Sequence, residues 1–123
     1  MRVVLAPDSF KESMSAAQAA AAMARGVRAV VAGADCVEVP MADGGEGTTE
    51  ALVAALGGEW RTVASRDALG RPVRASYGLS GDLAVVEVAA AVGIGLVAPD
   101  DRDVPGSSSL GVADLVRAAL DAG

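Results

Sequence analysis

The sequence predicts an α/β protein: a parallel Rossmann-like or flavodoxin-like layer in β-α-β-α order, with an antiparallel strand excursion belonging to a second α/β domain. Three observations lead there. Apolar, β-branched runs at 2–6 and 35–39 are each followed by a stretch of helical periodicity, and strands alternating with helices give parallel pairing with right-handed crossovers. From 59 to 90 that order gives way to short alternating runs separated by turn residues, the pattern of a meander. The hydrophobic share is 52% but aromatics are only 2%, so alanine, valine and glycine must do the packing, which suits helices lying close on a sheet.

Taken in order, Arg2 to Ala6 reads as a buried first strand ended by Pro7, and Asp8 to Ser13 as the loop after it. Ser15 and Gln18 have capping-box spacing, and Ala16, Ala19, Ala20, Met23, Val27 and Val30 recur at helical intervals until Gly33. Asp35 to Val39 is the second strand. Pro40 to Thr48 forms a glycine-rich loop that opens a second helix, Thr48 to Leu56, stopped by Gly57 and Gly58. Glu59–Ser65, Val73–Leu79 and Leu83–Ala90 are the meander strands, with turns at 68–72 and 80–82. A loop over 92–109 precedes a final helix, Leu110–Ala122, with Val112, Leu115, Val116, Ala119 and Leu120 on one face. Residues 1–58 and 105–123 are expected in the Rossmann-like domain and 59–104 in the excursion.

Composition narrows the function. A formal net charge of −6 and the scarcity of aromatic rings argue against nucleic acid as the partner. With no histidine, acid–base work falls to carboxylates or to Lys11, the single lysine. The lone Cys36 excludes an internal disulfide and reads as a small apolar strand residue, consistent with a cytoplasmic protein. The chain starts on a strand without a signal peptide, and its uncharged runs fall short of the roughly 20 residues that span a bilayer, so no membrane partner is expected. Gly93 to Ala98 fits the spacing of a dinucleotide fingerprint, but Pro99, Asp100 and Asp101 stand where its helix should run. A G-x-x-x-x-G-K-[ST] run is missing, which excludes an ordinary P-loop kinase.

Two loops carry chemistry. In Asp43-Gly44-Gly45-Glu46-Gly47-Thr48 the glycines and the helix start can turn backbone N–H groups toward a phosphate or carboxylate. Asp43 and Glu46 would repel a bare anion and make better sense beside a magnesium ion or a substrate hydroxyl; the plain alternative is a tight loop with Glu46 favouring the helix dipole. In Asp8-Ser9-Phe10-Lys11, Asp8 can take a hydroxyl proton, orient a metal-bound water or cap a turn. Lys11 is either a point charge for a phosphate or a solvated side chain. Loops after successive parallel strands open on one edge, so both can face one crevice.

Val4-Leu5-Ala6-Pro7-Asp8-Ser9-Phe10-Lys11-Glu12-Ser13 and Pro40 to Thr48 resemble the two N-terminal signatures of the bacterial class I glycerate kinases. Leu69 to Val73 and Arg117 to Gly123 resemble further pieces in the same order, whereas Leu110-Gly111-Val112-Ala113 replaces an aromatic-Gly-Thr-Gly run. The resemblance covers the whole chain but only about the first third of a family member. It implies a magnesium-ATP-dependent kinase giving 2-phosphoglycerate, or 3-phosphoglycerate, from D-glycerate, between two dissimilar α/β domains. By that resemblance Asp8 or Asp43 orients and deprotonates the hydroxyl, and Lys11 offsets phosphate charge. Ser9, Phe10, Gly44, Gly45, Glu46, Gly47 and Thr48 bind substrate or phosphate, and Asp43 and Glu46 are the metal candidates. The chain alone is expected to be inactive, and an unfinished sheet edge would favour a homo-oligomer. The rival expectation is a non-catalytic flavodoxin-like module binding a small anion or a partner.

Overall fold

The computed structural model describes residues 1–10 and 13–123, which divide into two units, Met1–Ala51 and Leu52–Gly123. In the first unit, β1 (Arg2–Leu5) pairs in parallel with β2 (Asp35–Glu38), Val3 lying opposite Cys36 and Leu5 opposite Glu38. The crossover between them is α1 (Ala16–Val30). Its start is the expected capping box: the Gln18 N–H donates to Ser15 Oγ, and the Ser15 N–H donates to Gln18 Oε1 at 2.9 Å. Ala19, Ala20 and Ala24 are its buried residues, so the helix meets its neighbours through methyl groups.

The expectation of a buried first strand is corrected here. Val3 and Leu5 are half-buried, while Val4, on the opposite face, is 60% exposed. Successive strand residues point to opposite faces, and α1 packs on only one of them.

α2 (Thr48–Leu56) leads into the second unit. There β3 (Glu59–Arg66), β4 (Pro72–Ser80) and β5 (Leu83–Val85) form the antiparallel sheet in the order β3-β4-β5. The third strand is shorter than the expected Leu83–Ala90. Its alanine-rich end instead forms a single turn, α3 (Ala89–Val92), which carries Ala91 into the core, and two 3₁₀ turns follow in the 92–109 segment.

Asp67 organises the β3–β4 turn. This buried carboxylate accepts the N–H groups of Leu69 and Arg71 at Oδ1, both at 2.9 Å, and Arg71 Nε at Oδ2, 2.7 Å. Gly70, at φ +79°, supplies the left-handed residue that the turn needs. Burial pushes the Asp67 carboxyl up, but the hydrogen bonds from the Arg71 side chain and from both amides outweigh it, and the group titrates below its ordinary 3.8. A depressed folded-state pKa contributes stability that is complete above the unfolded value and lost as pH falls through the folded one. Acid titration from pH 5 should therefore destabilise the protein below about pH 4. Asp67→Asn should be less stable at neutral pH and show a flatter acid limb in urea melts at each pH.

The core of this unit is Ala75, Tyr77, Ala91 and Leu115, with Val63, Leu79 and Val92 packed against it. Leu115 comes from α4 (Leu110–Asp121), whose contacts run to β3, β4 and α3. α4, grouped by sequence with the parallel layer, contacts β3 and β4: Leu115, Ala118 and Ala119 pack with Ala75 and Tyr77, whereas Val116 and Leu120 of its expected apolar face are exposed. Tyr77 Oη donates to the Ala118 carbonyl at 3.1 Å, and Arg66 Nε reaches Asp114 Oδ2 at 3.0 Å. The approach is closest at Gly111, where an added Cβ would lie 2.0 Å from the Arg66 carbonyl oxygen. A glycine-to-alanine change within a helix ordinarily stabilises by about 0.5–1 kcal/mol. Gly111→Ala should reverse that sign and destabilise by about 1–3 kcal/mol, read as a lowered urea midpoint.

Candidate functional site

The parallel pairing continues beyond β1 and β2. The Val39 N–H donates to the Leu5 carbonyl at 2.8 Å, and the Met41 N–H to the Pro7 carbonyl at 2.9 Å. Asp8 follows Pro7 directly and Asp43 stands two residues past Met41, so both carboxylates sit on loops leaving the same end of one strand pair. Both are exposed, as a group that must reach a ligand has to be.

The first loop closes on itself. Phe10 and Met14 bond in both directions, N–H to carbonyl, at 2.9 and 3.1 Å. The Ser9 N–H donates to Asp8 Oδ1 at 2.6 Å, which fixes the carboxylate. Ser9 is half-buried and Phe10 is 52% exposed. Lys11 lies outside the described residues.

The glycine loop is braced from within. Asp43 Oδ1 accepts the Gly45 N–H at 2.9 Å. The Thr48 hydroxyl donates to the Gly45 carbonyl at 2.7 Å and accepts the Gly44 N–H at 3.1 Å. Gly44 and Gly47 take φ of +97° and +92°, conformations that L side chains adopt only with strain. The amides of Gly44 and Gly45, expected from sequence to face a phosphate, are therefore engaged inside the loop. What the loop presents is the exposed side chains of Asp43 and Glu46.

That donor set suits Mg²⁺, which needs one or two carboxylates and otherwise keeps water and phosphate oxygens. Among the described residues no cluster of three or more acidic, cysteine or histidine side chains forms a cage. Asp43 and Glu46 are the side chains of this loop that would hold such an ion.

Thr48 is the residue whose role the sequence understated. It reads as one more phosphate-binding hydroxyl, but its oxygen ties both ends of the loop together, a function visible only in the hydrogen bonds. Thr48→Val keeps the shape and removes both bonds. It should speed amide exchange at Gly44 by about tenfold, the equivalent of one lost hydrogen bond, as measured by NMR.

Among the described residues no helix is long and apolar enough to cross a membrane. Residues 3–123 match the model of the Glycerate kinase family. The chain is 48% identical to the glycerate kinase of Bacillus subtilis strain 168, over 100% of this chain and 33% of that protein. It is 46% identical to the glycerate 2-kinase of Escherichia coli K12, with the same coverage. A crystal structure from Salmonella typhimurium LT2, assigned as glycerate kinase 2, superposes with a TM-score of 0.74 at 48% identity, covering 100% of this chain and 34% of that one. The chain thus spans about a third of the length of the relatives it matches.

Proposed function

The chain belongs to the glycerate kinase family, and on that premise we propose that it contributes the two loops that prepare D-glycerate to receive the γ-phosphate of ATP. The observation that carries this is the shared rim of the parallel pair, where Asp8 and Asp43, both exposed, each have Oδ1 held by a backbone amide. A carboxylate fixed in this way accepts the proton of an alcohol as its oxygen attacks the γ-phosphorus. The bond from that phosphorus to the bridging oxygen of ADP breaks, and a phosphoglycerate leaves, 2-phosphoglycerate in the assignment we favour. One of Asp8 and Asp43 takes the proton and the other orients the hydroxyl; where Asp43 is the base, Glu46 alone holds the metal. Lys11 balances charge on the phosphate, while Ser9 and Glu46 hold the acceptor.

Phosphoryl transfer needs positioning and charge more than a special nucleophile, so this chain's contribution to it does not require a histidine. The lone thiol and the use of ATP fit a cytoplasmic setting. The test is a chimaera in which this chain replaces the matching third of the Bacillus subtilis glycerate kinase. It should make phosphoglycerate from Mg-ATP and D-glycerate, whereas the isolated chain should release no ADP. A folded chimaera without turnover would overturn the proposal.

A further inference from the structure

We infer that a cavity in the second unit binds a small organic carboxylate with an aliphatic body. The cavity holds about 310 Å³, and Val92, Ile94, Val97, Val104, Arg102 and Ser108 are among its lining residues. Its walls are graded. Val97 is only 5% exposed and forms a fixed apolar floor, while Ile94 at 65% and Val104 at 86% leave the mouth open.

The polar groups stand among these aliphatic side chains. Arg102, like Arg25 and Arg74, makes no ion pair among the described residues, and of these three it alone lines the cavity. Its neighbour Asp103 also lines the cavity. That carboxylate accepts the Gly106 N–H at 3.2 Å and packs on the Gly106 backbone, which draws it into its own turn. Ser107 donates its hydroxyl to the Asp103 carbonyl at 2.6 Å. Ser108 Oγ accepts the Leu110 N–H at 3.2 Å, which leaves its own proton to give.

A guanidinium and a donor hydroxyl beside an apolar hollow match a carboxylate carrying a short hydrocarbon chain. The charged end gains a planar, charge-assisted contact, and the chain covers the valine and isoleucine walls. A cation would meet Arg102, and a polyhydroxylated anion would leave its hydroxyls against aliphatic groups without partners.

The experiment is an NMR titration of the ¹⁵N-labelled 123-residue chain with butanoate. Amide shifts confined to 92–108 and saturating with a Kd on the order of 1 mM are expected. Arg102→Gln, an exposed change that leaves the fold alone, should weaken binding about tenfold, and Ser108→Ala should weaken it by a smaller factor. Butan-1-ol should bind more weakly than butanoate by a similar factor. No saturable shift, equal binding of butan-1-ol, or full binding by Arg102→Gln would each overturn the inference. A preference for AMP over butanoate would reassign the cavity to a nucleotide and overturn it as well. None of these readings depends on kinase activity.

Discussion

Asp43→Asn, introduced into the chimaeric kinase, is expected to lower kcat by about 10²-fold or more with a much smaller change in KM, the size of a lost general base. The substitution is informative because of what it preserves. Asp43 Oδ1 accepts the Gly45 N–H, and the amide oxygen of asparagine can accept the same bond, so the loop keeps its brace. Only the charge and the proton-accepting oxygen are removed. The same holds at Asp8, where Asn still accepts the Ser9 N–H. Steady-state rates measured beside a thermal melt distinguish the cases: unchanged kcat in both variants would remove these carboxylates from the chemistry. A falling melting temperature would instead assign them a structural role.

Leu115→Ala should be the most damaging single change to the fold of the second unit. Leu115 is fully buried, and it is the largest side chain that α4 sends into the cluster with Ala75, Tyr77 and Ala91. Those neighbours include two alanines, which have no spare length to fill the space. Truncation therefore leaves a cavity and should cost about 2–5 kcal/mol. In urea melts the midpoint should fall with little change in slope. Leu120→Ala, on the same helix but 76% exposed, serves as the control and should change stability by less than about 0.5 kcal/mol.

The elements that local chemistry dictates were legible in the sequence. Ser15 and Gln18 announce the start of α1 by spacing alone, and the glycine run before Thr48 announces α2. The alternation from 59 to 79 gives β3 and β4, and the strand–loop–helix order puts Asp8 and Asp43 at one end of a parallel pair. What pattern could not supply was decided by neighbours distant in sequence. The exposed face of Val4 depends on which side α1 packs, and the early end of β5 on the pull of Ala91 into a core completed by Leu115. The grouping of α4 with the antiparallel sheet follows from close approach at Gly111, a contact between residues 45 positions apart in sequence.

Within the candidate site the limit lay in hydrogen-bond accounting. Residue types indicated amides ready for an anion, but the count of donors and acceptors in the folded loop assigns the Gly44 and Gly45 N–H groups to Thr48 and Asp43. Asp67 was passed over for a similar reason. An aspartate before a Gly-Arg turn is ordinary in sequence, and only its burial with two amides and a guanidinium shows how much it organises.

The reading stands on Asp8 and Asp43 serving one hydroxyl at one rim, and the kcat of the double variant tests that most directly. Groups that act as a unit lose nearly everything with the first substitution, so Asp8→Asn/Asp43→Asn should fall no more than about threefold below the worse single variant. A double variant whose loss equals the product of the two single losses would show two independent contributions and contradict a shared site.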